Sequence, residues 1–133
     1  MLATLDVPFA DAAVELAVDA AVESGSPLLV VNVVATAFLP ATLAGWDYVV
    51  RPEIEDSLRR PCELAPALGV HVERLRVRSP HPLRALLELM AERRPGLLVF
   101  GADRDRVSRR LYRRVQRALE SQENCLVWIA DEW

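Results

Sequence analysis

The segment Leu28-Leu-Val-Val-Asn-Val-Val34 limits the fold more than any other stretch, because its apolar side chains continue without the alternation of a half-exposed strand. Such a strand must be covered on both faces, which is the position of an inner strand in a parallel sheet. Leu2 to Leu5, Leu97-Leu-Val-Phe-Gly101 and Cys125-Leu-Val-Trp-Ile-Ala130 repeat the pattern. Each is short enough for a strand and too short for an independent helix.

Helical periodicity fills the intervals. Ala13, Val14, Ala17, Val18, Ala21 and Val22 recur at i, i+3 and i+4 within Ala10 to Glu23, and Gly25-Ser-Pro27 stops that helix. Residues 35–52, with Pro40, Gly45, Trp46 and Pro52, read as an irregular connection. A helix is expected from about Glu53 to Leu68, kinked or split at Pro61 and Pro66, since an interior proline removes a backbone donor at a cost of about 3 kcal/mol. Val70, Val72, Leu75 and Val77, interleaved with charged residues, predict an edge strand. Ser79-Pro-His-Pro82 opens a helix whose apolar face carries Leu83, Leu86, Leu87 and Met90, and Pro95-Gly96 closes it.

The resulting order is β-α-β-α-β-α-β-α-β. Alternation of this kind implies a three-layer α/β/α fold, a mainly parallel sheet joined by right-handed crossovers. Ligands of such folds bind beyond the carboxyl ends of the strands, where strand order reverses. At 133 residues, with no linker or low-complexity tract, a single domain spanning 1–133 is expected. No apolar run is long enough for a membrane span and the amino-terminal residues do not resemble a secretion signal, so a cytoplasmic location is expected.

Charge is distributed unevenly. The net charge is -3, yet residues 1–50 contain six acids and no Lys or Arg, and all 16 basic residues of the chain are Arg. Between Gly101 and Leu119, seven Arg face two Asp, a local balance of +5. On a helical wheel Val107, Leu111, Val115, Ala118 and Leu119 share one face, with Arg109, Arg110, Arg113, Arg114 and Arg117 opposite. This face is either a solvated surface, paired with the acids of the amino-terminal half or of a partner subunit, or an anion site. An acidic chain with eight scattered aromatics is a poor match for nucleic acid. Cys62, Cys125, His71 and His81 lack metal-ligand spacing, and no nucleophile and base cluster is visible, so no catalytic residue, metal or enzymatic activity is assigned.

The strand ending at Asp6, the helix Ala12-Ala-Val-Glu-Leu-Ala17, the strand Leu28 to Val34, Pro82-Leu-Arg-Ala-Leu-Leu-Glu88, Leu97 to Gly101, and Arg117-Ala-Leu119 before the last strand occur in an order that resembles the universal stress protein family. The similarity extends over nearly the whole chain. It implies a five-stranded sheet of order 3-2-1-4-5, as in the adenine-nucleotide hydrolase-like group, and a regulatory role in stress without a defined reaction. Nucleotide-binding members carry G-x-x-G, nine residues, then G-[S/T] after the fourth strand. Here Gly101 matches the first glycine, Arg104 replaces the second, and the later pair falls on Arg113-Arg114 with a one-residue deletion or on Arg114-Val115 without it.

Glycine in such a loop admits positive φ and close approach of amides to phosphate, whereas arginine offers only its guanidinium. The resemblance therefore implies a family branch without tight ATP binding and with no required cofactor. Its alternative is an ATP- or AMP-binding switch. In that alternative Asp6 and Val7 lie near ribose, the backbone of Val33 and Val34 meets adenine, and Gly101, Ala102, Arg104, Arg113 and Arg114 hold phosphates. Asp6 at the end of a first strand equally suits a cap on the following helix. By the same resemblance the strand 125–130 forms a homodimer by antiparallel pairing, with Trp128 and Trp133 as anchors or Trp128 in the core.

Overall fold

A computed structural model describes residues 1–36 and 51–130. Its elements run β1 (Leu2–Thr4), α1 (Asp11–Ser24), β2 (Leu28–Ala35), α2 (Pro52–Ala67), β3 (Val72–Ser79), α3 (Pro82–Arg93), β4 (Leu97–Phe100), α4 (Arg109–Glu120) and β5 (Leu126–Ile129), with a single 3-10 turn at Arg104–Arg106. The strand order is β3-β2-β1-β4-β5, and every pairing between these strands is parallel. This is the α/β architecture expected. The irregular connection expected after β2 falls largely on residues outside those described, as does Trp133.

The sheet grows outward from β1 in both directions, so crossovers of one hand put α1 and α2 on one face and α3 and α4 on the other. Ala13, Val14, Ala17 and Val18 of α1 pack with Ile54, Leu58 and Ala65 of α2 over Leu2, Val30 and Val99. Leu86, Leu89 and Met90 of α3 pack with Val115 and Leu119 of α4 over Ala3, Val31, Leu98 and Phe100. Alternate residues of β1, β2 and β4 thus serve two separate cores, which is why those strands read as unbroken apolar runs. Gly25 ends α1 at φ 65, and its N–H donates to the carbonyls of Ala21 and Val22.

Two local expectations are corrected. Helix α2 is not split at its prolines: it runs unbroken from Pro52 to Ala67. Pro61 lies on the buried stripe Ile54, Leu58, Pro61, Ala65, where ring burial offsets the missing hydrogen bond, and Pro66 falls in the last turn, where little helix remains to disturb. Helix α4 is rotated slightly from the wheel. Tyr112, Val115 and Leu119 are its buried residues, Val107 lies before it in extended backbone, and Ala118 is half-buried. The Tyr112 hydroxyl makes this possible by donating to the carbonyl of Ala130 at 2.9 Å, so the ring is buried without an unmet polar group.

Candidate functional site

The crevice where strand order reverses lies between the carboxyl ends of β1 and β4, flanked by residues 5–10 and 101–108. Thr4, fully buried, donates its hydroxyl to the carbonyl of Val7 at 2.7 Å and draws the chain back over the end of β1. Asp6 takes up a left-handed backbone at φ 55. Its N–H donates to Asn32 Oδ1 at 2.8 Å, and Asn32 Nδ2 reaches back to Asp6 Oδ1 at 3.4 Å. An aspartate tolerates this conformation better than most residues, and Asn32 holds it there. Asp6 therefore does not cap α1. The N-cap is Ala10, without a side-chain cap bond, and Asp6 lies five residues before Asp11, where the helix begins.

The two loops are joined to each other. Phe9 and Ala102 form an antiparallel bridge in which Ala10 N–H donates to Gly101 O at 2.8 Å and Asp103 N–H donates to Pro8 O at 2.9 Å. Phe9 N–H donates to Ser57 Oγ at 2.7 Å, tying the same loop to α2. The Phe9 side chain is almost fully buried and packs into the α1 and α2 core. What topology offers as an opening is occupied at this level by a phenyl ring and a short ladder of main chain.

Gly101 has a packing reason for being glycine. A Cβ built on it would sit 2.8 Å from the Ala13 Cβ, 3.0 Å from Leu2 Cδ1 and 3.0 Å from Phe9 Cδ1. Among the described residues, the glycines with positive φ are Gly25 and Gly69, so Gly101 owes its identity to the close approach of α1 and not to an unusual turn. Its N–H donates to Ala3 O at 2.8 Å.

The amides beyond it are also engaged. Asp103 N–H bonds Pro8 O, Asp105 N–H bonds the Asp103 carboxylate at 3.1 Å, Arg106 N–H bonds Asp103 O at 3.0 Å, and Val107 N–H bonds Arg104 O at 3.2 Å. A phosphate cradle requires amides that point outward and lack partners. Here Gly101, Asp103, Asp105, Arg106 and Val107 donate theirs to acceptors of the protein itself.

The other residues assigned to the site from sequence separate in space. Val33 and Val34 are buried side chains of β2, and Ala102 is buried in the loop bridge. The Arg104 guanidinium lies over the Tyr112 ring, 5.1 Å from its centroid, which anchors it against α4. Arg106, not assigned from sequence, pairs with Glu53 of α2 and fastens the loop across the crevice. Arg113 and Arg114 are exposed on the outer face of α4, turned from the buried Tyr112, Val115 and Leu119. The crevice thus gathers Asp6, Val7, Gly101 and Ala102, while Arg113 and Arg114 belong to a different surface.

Sequence reasoning passed over Thr4, Phe9, Asn32 and Ser57. Asn32 carried a signal, since it is the one polar residue of the β2 run, and a buried amide there needs a partner. The described residues hold no cluster of His, Cys, Asp or Glu fit for a metal. Cys62 and Cys125 are free, and burial pushes the Cys62 thiol above its ordinary pKa, away from reactivity. A cavity of about 570 Å³ lies at the opposite, amino-terminal end of the strands, between Ala17, Ala21, Leu28 and Leu97, with the Glu73–Arg93 ion pair at its lining.

The class is therefore a doubly wound α/β protein with reversal at β1 and β4. A sequence model of the universal stress protein family matches residues 1–130, and the chain belongs to that family. Among solved structures, a universal stress family protein from Burkholderia pseudomallei is similar at 17% identity, with a TM-score of 0.59, over 98% of this chain and 96% of that one. A universal stress protein in complex with cAMP is similar at 22% identity, with a TM-score of 0.59, over 98% and 95% of the two chains. No curated protein matches the chain. No helix among the described residues is long and apolar enough to cross a membrane.

Proposed function

We propose that this chain is a single-domain binding and regulatory module of the universal stress type, not an enzyme, and that it does not hold ATP tightly. The observation that carries the reading is the use of the β4–α4 amides: five of them donate within the protein, and Gly101 is filled around by Ala13, Leu2 and Phe9. Arginine side chains near the loop retain attraction for anions without a main-chain cradle.

A nucleotide-dependent switch is the second reading, favoured by the similar universal stress protein solved with cAMP. In it Asp6 and Val7 contact ribose, and the guanidinium of Arg104 meets phosphate. Calorimetry with ATP, AMP, cAMP and inorganic phosphate separates the two. Absence of heat at millimolar ligand supports the first, and sub-millimolar binding that Arg104→Ala weakens establishes the second.

The reading includes a homodimer through β5. Its support is an edge strand of sequence Leu126-Val-Trp-Ile129, with Leu126 74% exposed and Trp128 half-buried against the core. Light scattering that gives a monomer mass at micromolar concentration removes this element.

A further inference from the structure

Helices α1 and α4 lie on opposite faces of the sheet, and their outer faces carry opposite charge. Asp11, Glu15, Asp19 and Glu23 recur at every fourth residue along α1, all exposed, in a helix with no basic residue. That spacing lines them along one side over about 18 Å. Arg109, Arg110, Arg113, Arg114 and Arg117 form a double row on α4 over about 12 Å, all exposed. The balance is four acids in α1 against five Arg and one Glu in α4, or −4 against +4.

Each stripe is unfavourable in a lone molecule. Like charges at i, i+4 repel, and both helices contain successive pairs of this kind. Arg109 and Arg110 stand in the first turn of α4, where the helix dipole disfavours a cation, and Glu23 stands in the last turn of α1, where it disfavours an anion. Arg60 of α2 relieves Asp11 and Glu15. Among the described residues Asp19 and Glu23 have no ion pair, nor do the five arginines of α4.

We infer that the α4 arginine face docks on the α1 acidic face of a second copy of this chain. The sheet stands between the two stripes of one molecule, so they cannot neutralise each other within it. A second copy supplies a stripe of opposite charge long enough to cover the α4 row. Such a contact joins two different patches, so it is heterologous: it propagates head to tail or closes into a ring, and it leaves the β5 edge available. Nucleic acid as the occupant fits less well, since the chain is acidic overall and the arginine stripe contains no exposed aromatic.

The test is sedimentation velocity on nuclease-treated protein at two salt concentrations. At about 0.01 M salt, where charge acts over about 30 Å, the mass should rise with protein concentration beyond that of a dimer, and at about 1 M salt this growth should vanish. Arg113→Glu with Arg114→Glu, and separately Asp19→Arg with Glu23→Arg, should each weaken the growth about tenfold or more. An equimolar mixture of the two variants should restore it, because each then presents the charge the other lacks. All four positions are exposed, and unchanged thermal melting by circular dichroism certifies the fold of each variant. Growth that ignores salt, survives either variant, fails to return in the mixture, or occurs only before nuclease treatment overturns the proposal, as does its absence in the parent protein.

Discussion

The crevice between β1 and β4 and the outer face of α4 contain residues that one sequence motif places in a single site, yet the fold treats the two regions in opposite ways. In the crevice five main-chain amides after β4 donate within the protein and space is filled by Phe9. On α4 five guanidinium groups stand in water. A motif fixes the spacing of residues along the chain, but only rotation about the helix axis decides which of them return to the loop. Tyr112, buried and bonded to Ala130, sets that rotation and turns Arg113 and Arg114 outward.

The sharpest way to break this comparison is to substitute the glycine they were thought to share. Gly101→Val should destabilise the fold by about 3 kcal/mol or more, read by urea unfolding, because its new atoms meet Ala13 and Leu2 at a packed contact. A glycine kept for ligand contact would lose binding and keep its stability. Phe9→Ala should cost about 3 kcal/mol in the same assay, since a buried aromatic is lost and the loop bridge is left unsupported. Tyr112→Phe should cost about 1–3 kcal/mol, the penalty of leaving the Ala130 carbonyl buried without its donor.

Charge comes last in size. The Glu55 carboxyl is held below the usual range, first by the hydrogen bond from Arg74 and further by the charges of Arg74 and Arg76. A lowered pKa in the folded state means stability that is fully present above the ordinary glutamate value of about 4.3 and lost as pH falls through the lowered one. Glu55→Gln should flatten that part of the acid limb of a stability profile. Arg113→Ala and Arg114→Ala should change stability by no more than about 0.5 kcal/mol, as befits exposed side chains outside the crevice.

The fold was legible in the sequence because hydrophobic period encodes burial directly. Leu28 to Val34 could only be a doubly covered strand, and the arrangement of helices around it followed. The same logic located β5 and the edge character of β3. It failed at Pro61, where a local penalty hides the core contact that offsets it, and it left Asp6 equally suited to a cap and to a ligand role, although Ala10 holds the cap position.

The site was less legible, since its decisive features are main-chain hydrogen bonds. Nothing in the letters Pro8-Phe-Ala10 announces a ladder to residues 101–103, which are distant in sequence. The packing role of Gly101 depends on Ala13 and Phe9 approaching from another loop. Glycine in both roles looks the same in sequence, although one makes room for a ligand and the other for a helix.

The central claim is that the amides of Gly101, Asp103, Asp105, Arg106 and Val107 after β4 are committed within the protein, and amide-resolved NMR tests it most directly. The account predicts that the Gly101 and Asp103 N–H signals exchange slowly with solvent and do not shift when ATP is added to millimolar concentration. Rapid exchange of these amides, with saturable shifts on adding ATP, would contradict it.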